Sequence, residues 1–315
     1  MAGAPRPKDH DYRPKSPCFG QTPFLARSVE PPIGADVEEP WSGRRGRKRL
    51  VVSVYEKIER ATATLSPSPA EQVANAKRPL IIRYGKHLRG FFDRLIASSS
   101  LVSNDPVLDV RDFPWTHILR ENWQAIRDEA IRAALGQNSP SLASVSPDHR
   151  AIAPVDKWRS FFLWGYGYSI DENLDRCPVT AATIAKIPHL NSAFFSILAP
   201  GTHIPAHRGV TKGLITCHLG LIVPKDGDVR MRVDDRIVRW SEGETLVFDD
   251  TYDHEVWNDT QHTRVVLLIQ VRRPLRNPGK WISDAFLNVI RRSAFVQEAR
   301  DNVLAWNAAV KQLDV

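Results

Sequence analysis

The part of the chain between about residue 155 and residue 275 limits the fold most, because it consists of short apolar runs separated by Gly, Pro and Asp. Such runs are typical of β-strands, and Asp234-Asp235, between two of them, predicts a hairpin turn. Strands spaced this closely predict a mainly β fold with flanking helices, a double-stranded β-helix of the jelly-roll or cupin-like type. The predicted strands cover 193–198, 218–223, 229–233, 237–240, 245–248 and 264–271.

Helical patterns flank this β region. Residues 77–98 and 115–135 carry apolar residues at helical spacing, and the first of these segments has Lys and Arg at its polar positions. Residues 1–75 are rich in Pro, Ser, Ala and charge without such a period, which predicts a disordered or loosely attached basic region. We therefore expect that region at 1–75, a helical support segment suited to a membrane surface at 76–150, the β domain at 151–275 and C-terminal helices at 276–315.

Charge and composition narrow the class of protein. The 315 residues carry a formal charge of +7, which favours an acidic partner such as anionic lipid. The basic run at 43–49 has no accompanying nucleic-acid-binding motif, so we expect no specific nucleic-acid binding. No apolar stretch approaches the length of a membrane span and the N-terminus has no signal-peptide pattern, so we expect a cytoplasmic protein. Cys18, Cys177 and Cys217 lie far apart, which suggests neither a disulfide framework nor a thiolate metal site.

Histidines are concentrated in the β region. His203, His207, His218, His254 and His262 all fall within one sixty-residue span. A jelly roll brings side chains from separate strands to one open mouth, so His207 and His254 could meet there. Neutral imidazole suits Fe(II), and iron oxygenases commonly complete the site with a carboxylate. Spacing alone leaves core or surface roles for these histidines equally open.

Two segments, SILAPGTHIPAHRGVTKGLITCHLGLIVP and EGETLVFDDTYDHEVWNDTQHTR, closely resemble the aspartyl/asparaginyl β-hydroxylase family, which includes lipid A and ornithine-lipid 2-hydroxylases. The resemblance extends over about 158–275. The family pattern is a Ser, a His eleven residues later, another His after eleven more, a His in HEVW, and an Arg ten residues beyond it. In this chain those positions are Ser196, His207, His218, His254 and Arg264.

The resemblance implies an Fe(II)- and 2-oxoglutarate-dependent dioxygenase that consumes O₂. His207 and His254 would coordinate the iron, and His218 would contact the metal-proximal end of 2-oxoglutarate. The far carboxylate of that cosubstrate needs a permanent cation with a planar fork of donors, which Arg264 offers, while the Ser196 hydroxyl can add a hydrogen bond.

Neighbouring residues receive lesser roles. Trp164, in LWGYG, resembles the family's cofactor-lining Trp through a looser match. His203 is expected to be structural or to line the mouth of the site. Asp249, Asp250 and Glu255 are expected at strand ends or around the metal ligands.

Two positions depart from familiar patterns. The carboxylate of an ordinary His-x-Asp triad is replaced by Gly209, as in the β-hydroxylase branch, where water takes its place. An open position also admits halide, so halogenation is a further alternative. Peptide-directed enzymes of the family carry Arg where this chain has Leu214 and Thr216. The chain therefore lacks the arginines that would bind an acidic side chain of a peptide substrate.

The sequence therefore predicts hydroxylation of an unactivated C–H carbon. The preferred substrate is a lipid-linked acyl chain, because the basic amphipathic segment suits peripheral contact with an anionic membrane at the inner membrane surface. A small molecule, in particular a free, carrier-bound or peptidyl amino acid of the Asp or Asn type, is the alternative. A non-catalytic jelly-roll binding protein is a further alternative.

Overall fold

The computed structural model describes residues 80–135, 139–146, 149, 152 and 157–312, and of residues 80–88 it describes the backbone alone. The predicted segment 1–75 with its basic run, and Cys18, lie outside the described residues. The described strands are β1 (Val107–Leu108), β2 (Trp158–Gly165), β3 (Tyr168–Ser169), β4 (Leu190–Leu198), β5 (Thr202–His207), β6 (Leu214–Ile222), β7 (Asp228–Val233), β8 (Arg236–Arg239), β9 (Thr245–Phe248), β10 (His254–Asp259) and β11 (Arg264–Arg272). The described helices are α1 (Leu80–Ser98), α2 (Thr116–Glu121), α3 (Trp123–Ala134), α4 (Leu142–Val145), α5 (Asp171–Asp175), α6 (Pro178–Ile184), α7 (Gly279–Arg291) and α8 (Ala294–Lys311).

The strands form two antiparallel sheets. The larger has the order β1-β9-β6-β11-β4-β2-β3 and the smaller the order β5-β10-β7-β8. One apolar cluster joins them, with Leu198 and Val266 from the large sheet packed beside Met231 and Val256 from the small one. The predicted class, a mainly β double-stranded β-helix with flanking helices, is confirmed.

The large sheet is buried on both faces, which explains the continuous apolar runs of β4, β6 and β11. Residues of one parity, such as Phe195, Leu219 and Leu267, pack against Ile126 and Ala130 of α3. Successive side chains of a strand point to opposite faces, so residues of the other parity face the small sheet. Polar residues of that second parity can therefore meet in the space between the sheets.

The small sheet has one solvated face. In β7, Val229, Met231 and Val233 are buried, whereas the alternating Arg230 and Arg232 are partly exposed. This alternation is the pattern of an antiparallel sheet that covers a core on one side. The inner face of β5 and β10 thus lies opposite the polar positions of the large sheet.

The predicted strands are all present, with bounds that differ by at most a few residues, and Asp234 adopts the positive φ of a tight turn between β7 and β8. The predicted helix over 115–135 is two helices, because Asn122 leaves helical geometry with φ −106° and ψ 8°. Strands β2, β5 and β10 were not among the predicted strands. The first two of these carry polar or aromatic residues that interrupt a simple apolar alternation.

The predicted C-terminal helices are present, and they leave several large apolar side chains exposed. Val296 is buried, but Phe286 and Val289 are 40% and 56% exposed, and Trp281 is 66% exposed. Helix α7 instead buries Leu287 together with small residues that allow close approach to α1. Within the described part of the chain, no helix has the length and apolar character needed to cross a bilayer. Cys177 and Cys217 are free and buried.

Candidate metal and cofactor site

His207 and His254 are direct partners across the pairing of β5 with β10, and their ring centroids lie 4.0 Å apart. Nδ1 of His207 lies 2.9 Å from the carbonyl oxygen of Pro205, and Nδ1 of His254 lies 3.0 Å from that of Tyr252. A carbonyl accepts only, so both Nδ1 atoms carry the proton and both Nε2 atoms keep a lone pair. In metal sites, a hydrogen bond from the ring nitrogen that does not bind the metal fixes the orientation of the imidazole.

Both imidazoles are neutral near pH 7. Burial, followed by the neighbouring His254, lowers the pKa of His207 to about 4. Burial also lowers the pKa of His254. A lone pair that is free of protons is what a divalent metal requires, so the pair is prepared for a cation without a competing proton.

Asp250 lies beside Gly209. In an ordinary His-x-Asp triad, the position of Gly209 carries the carboxylate that serves as the third metal ligand. A Cβ at Gly209 would overlap the Asp250 carboxylate, and the Gly209 amide donates to the Asp250 carbonyl oxygen at 2.6 Å. Thr216 Oγ1 and Gln270 Nε2 donate to Asp250 Oδ2 at 2.9 and 3.0 Å. Burial raises the pKa of Asp250 to about 6. A carboxylate thus borders the open position, although it comes from another strand end.

Within the described residues, no three His, Cys, Asp or Glu side chains converge as a metal-binding group. The described residues therefore offer two imidazoles, which would leave the other coordination positions of a bound metal open to small molecules. That donor set fits a ferrous ion whose other ligands include a chelating cosubstrate.

Arg264 lies on the inner face of β11 and is buried, with 2% of its surface exposed. Burial lowers its pKa to about 9. Nη1 donates to the Ser196 carbonyl oxygen at 3.4 Å, the guanidinium lies 4.9 Å from the Trp240 ring centroid, and Nε has no hydrogen-bond partner among the described residues. No described carboxylate pairs with this cation. A buried unpaired guanidinium is costly, which indicates that an anion belongs beside it.

His218 presents an unused donor to the same space. Its Nδ1 accepts from Trp240 Nε1 at 3.2 Å, so the proton is on Nε2. That Nε2 is buried and has no partner within the described part of the chain. Because Leu268 pairs with His218 and Val266 with Ser196, the residues Ser196, His218 and Arg264 share one face of adjacent strands. His218 can therefore donate to an oxygen of an anion held by Arg264.

Strand β2 brings a different tryptophan to the site from the one predicted. Trp158 lines the cavity and its Nε1 donates to Ser196 Oγ at 3.0 Å. A bulge in the pairing of β2 with β4 lies between Phe162 and Trp164, and it turns Trp164 to the opposite face, where it packs in the helix-side core. The structure does not bring Trp164 to the cavity. A prediction that a strand begins at Trp158 would have indicated that Trp158 lines the cavity.

His203 points away from the metal pair. Its Nε2 lies 2.6 Å from Glu255 Oε1 and its ring stacks on Trp257 at 5.3 Å, on the outer face of the small sheet. His262 lies in the turn before β11, and its side chain is 62% exposed. Asp249 is buried between Lys212 and Arg273, where it holds the end of β9 in place.

The site opens into a cavity of about 410 Å³. Its polar end holds His207, His254, His218, Arg264 and Ser196. From there an apolar arm extends to the C-terminal helix α8, with a wall of mostly aromatic and branched side chains: Phe162, Ile170, Phe194, Phe295, Val296 and Val303. The arrangement can hold a charged cosubstrate at one end and a longer apolar molecule along the other.

Comparison with known proteins shows which family this chain belongs to. Residues 120–274 match the family model described as aspartyl/asparaginyl β-hydroxylase. An ornithine lipid ester-linked acyl 2-hydroxylase from Rhizobium tropici is 37% identical over 253 residues, which are 78% of this chain and 90% of that protein. The chain therefore belongs to the aspartyl/asparaginyl β-hydroxylase family, and the predicted enzyme class, a hydroxylase, is confirmed.

More distant relatives share less of their length with this chain. The human aspartyl/asparaginyl β-hydroxylase is 32% identical over 165 residues, which are 51% of this chain but only 21% of that protein. Among solved structures, a prolyl-4-hydroxylase from Pseudomonas putida aligns with a TM-score of 0.32 and 19% identity, covering 49% of this chain and 88% of that one. A predicted oxalate decarboxylase from Thermotoga maritima aligns with a TM-score of 0.25 and 12% identity, covering 36% and 80%.

Proposed function

We propose that this protein is an Fe(II)- and 2-oxoglutarate-dependent hydroxylase, that His207 and His254 hold its metal, and that its preferred substrate is a lipid-linked acyl chain. Arg264 is the observation that carries the proposal. A buried guanidinium without a described carboxylate partner shares one cavity with two neutral imidazoles. A keto-acid that chelates a metal at one end and carries a second carboxylate at the other would supply ligands to a metal on the imidazoles and an anion to the guanidinium.

The residues of the chain bind and orient the reactants. Arg264 takes the far carboxylate, and the Ser196 hydroxyl can donate to it because its oxygen already accepts from Trp158. His218 donates through Nε2 to the metal-proximal carboxylate. Phe248, whose ring lies 5.0 Å from His218 and 5.8 Å from His254, keeps water from this end of the cavity. When bound, iron with 2-oxoglutarate and O₂ supplies the oxidation of C–H to C–OH, leaving succinate and CO₂.

The apolar arm supports an acyl chain as the substrate. Its wall of aromatic and branched residues offers burial to methylene groups, each worth about 0.8 kcal/mol. The Rhizobium tropici relative acts, by its name, on an ester-linked acyl group of ornithine lipid. An acidic peptide side chain finds less support, because Leu214 is buried and the Thr216 hydroxyl is already bonded to Asp250.

The alternative of halogenation finds less support than hydroxylation. The Asp250 carboxylate, with its pKa raised to about 6, is largely ionised at pH 7 and lies next to the position that a halide would need. Two anions in one buried space repel each other strongly. Water, which can donate a hydrogen bond to Asp250, suits the position better.

Contact with an anionic membrane is part of the proposal. Helices α1 and α7 adjoin, since Arg276 Nη2 donates to Ser98 O at 2.9 Å just before α7 begins. Both helices expose aromatic residues, Phe91 on α1 and Trp281 on α7, together with the cation of Arg94. Exposed aromatic and basic side chains on two adjoining helices suit the interface of an anionic bilayer. We propose peripheral attachment there, at the cytoplasmic face of the inner membrane.

The test is iron- and 2-oxoglutarate-dependent hydroxylation of ornithine lipid, followed by succinate release and by mass spectrometry of the acyl chains. His207→Ala is expected to abolish both signals, because one imidazole cannot hold the metal. His203→Ala is the matched control and is expected to retain them, since His203 faces the outer side of the small sheet. Normal turnover by the His207 variant would refute the metal assignment, and succinate release without any hydroxylated lipid would refute the substrate.

A further inference from the structure

Two arginines of the C-terminal helices lie over a single tyrosine near the end of the apolar arm. The guanidinium carbon of Arg291 lies 4.8 Å from the Tyr168 ring centroid, and that of Arg300 lies 5.1 Å from it. Tyr168 and Arg300 also line the cavity that begins at Arg264. A cation pair is thus placed at the end of the cavity where α8 forms the wall.

The two guanidinium groups have no described carboxylate to neutralise them. The ion pairs of the described residues include neither Arg291 nor Arg300. Cation–π contact offsets part of the cost of holding two like charges near one ring, but an exposed contact of this kind is worth only about 0.5–1 kcal/mol. An anion that contacts both groups would remove their mutual repulsion and gain charge-assisted hydrogen bonds.

The turn before Tyr168 is built around Arg291. Gly167 has φ +82°, and a Cβ there would lie 3.3 Å from the guanidinium carbon of Arg291. Arg291 Nη2 donates to the Gly167 carbonyl oxygen at 3.2 Å, and Gln297 Nε2 donates to the Tyr168 hydroxyl at 3.1 Å. Side chains from α7 and α8 and the backbone of the β2–β3 turn therefore hold this group in one geometry.

The family match ends at residue 274, before both arginines. The residues that face the metal lie inside the match, whereas α7 and α8 lie outside it. Segments outside the shared catalytic region are the natural place for contacts that select one substrate rather than another. The pair therefore lies outside the matched region of the chain that contains the Arg264 site.

We propose that Arg291, Arg300 and Tyr168 form a second anion site, which binds the carboxylate or phosphate of an amphiphilic substrate whose chain lies in the apolar arm. The inference rests on the proposed function only in naming the bound molecule as substrate. The anion recognition itself is independent of metal and of 2-oxoglutarate, because none of its residues contacts the metal pair.

The test is calorimetric titration of the metal-free full-length chain with laurate, dodecyl phosphate and dodecanol, which share a chain and differ in charge. The wild type is expected to bind the two anionic amphiphiles about ten-fold more tightly than dodecanol, and Arg291→Gln/Arg300→Gln is expected to remove that difference while leaving dodecanol binding unchanged. Arg292→Gln, at an exposed neighbouring arginine, is the matched control and keeps the difference. Melting temperatures verify that each variant is folded.

Three results would overturn the proposal. The first is equal affinity of the wild type for laurate and dodecanol. The second is displacement of laurate by 2-oxoglutarate without sensitivity to the double substitution, which would move the anion to Arg264. The third is inorganic phosphate binding as tightly as dodecyl phosphate, which would mean that the dodecyl group contributes nothing to binding. Failure of iron-dependent succinate formation in a separate assay would refute the proposed function and leave these titrations valid.

Discussion

At the scale of single residues, Arg264 combines a cost for folding with a benefit for binding. We expect Arg264→Met to raise the free energy of unfolding of the metal-free protein by about 1–4 kcal/mol, because it replaces a buried unpaired cation by an apolar chain. The same change should weaken 2-oxoglutarate binding by roughly 100-fold, since an anion would face an apolar wall. Urea denaturation and anaerobic titration measure the two effects.

Arg292→Met is the control for this experiment, because Arg292 is exposed and its loss should change neither quantity. Destabilisation by Arg264→Met would contradict the account, since it would mean that the guanidinium is already paired in the free protein.

His149 is a second residue whose protonation is expected to affect folding. It lines the cavity edge-on to Trp158, with 5.6 Å between ring centroids, and burial lowers its pKa to about 4. Between about pH 6.5, the ordinary histidine value in an unfolded chain, and pH 4, the unfolded state binds a proton that the folded state does not, so the free energy of unfolding falls as pH falls.

The free energy of unfolding of His149→Phe, measured relative to that of the wild type, should therefore rise by about 2 kcal/mol when the pH is lowered from 7 to 5. Denaturation at the two pH values measures the change, with His262→Phe as a control for loss of an exposed histidine. An unchanged difference between wild type and His149→Phe would show that this imidazole takes up its proton in the folded state as readily as in the unfolded one.

Residue roles were predictable from the sequence where a motif carried them. Spacing could not pair His207 with His254, since they lie 47 positions apart in the chain with four strands between them; the family pattern suggested the pair, and the structure places it in one cross-strand contact. Asp250 was expected near the ligands, but its position in the space beside Gly209 depends on how two loops meet. Trp240, which contacts both His218 and Arg264, had no sequence signal.

At the scale of elements, the end of β5 and the turn between β9 and β10 meet at Gly209. We expect Gly209→Ala to lower the free energy of unfolding by about 1–3 kcal/mol, because its Cβ overlaps the Asp250 carboxylate. The Gly209→Ala/Asp250→Ala double variant should cost at least about 1 kcal/mol less than the sum of the single variants, since the second change opens the space. Thermal denaturation of all four proteins completes the cycle.

Gly90→Ala is the matched control, because a Cβ there meets no atom within 4 Å and Ala favours a helix over Gly by about 1 kcal/mol. It should therefore stabilise the protein. Strict additivity of the Gly209 and Asp250 changes would rule out the proposed overlap.

Elements were predictable where apolar alternation was uninterrupted. The runs that became β4, β6 and β11 are buried on both faces, so their composition is that of strands. The bulge in β2 was not predictable, because one extra residue in a strand leaves no mark in composition. Its effect on Trp164 is large, since a shift of one residue exchanges the two faces.

At the scale of the whole molecule, exposed aromatic residues of α1 and α7 combine with the net charge of +7 to suggest an anionic membrane as partner. We expect the protein to sediment with phosphatidylglycerol vesicles and much less with phosphatidylcholine vesicles, and expect added salt to weaken the association. Phe91→Ser/Trp281→Ser should weaken binding about ten-fold or more by removing inserted aromatic area.

Ile237→Ser is the control, because Ile237 is 49% exposed on the small sheet, away from the two helices. Equal sedimentation with both kinds of vesicle, or equal loss in the control variant, would contradict attachment through α1 and α7.

The shared face of Ser196, His218 and Arg264 also limits how the gene for this protein can change in length. Removal of one codon beyond Arg264 in β11, with the remainder of the strand kept in register, would put Arg264 where Val265 stands and drive its guanidinium toward the apolar side of the sheet, where Ile126 and Ala130 leave it no anion. Codons for the turn at 260–263 carry no such constraint. Natural insertions and deletions among homologues should therefore accumulate in that turn and be absent from the strand.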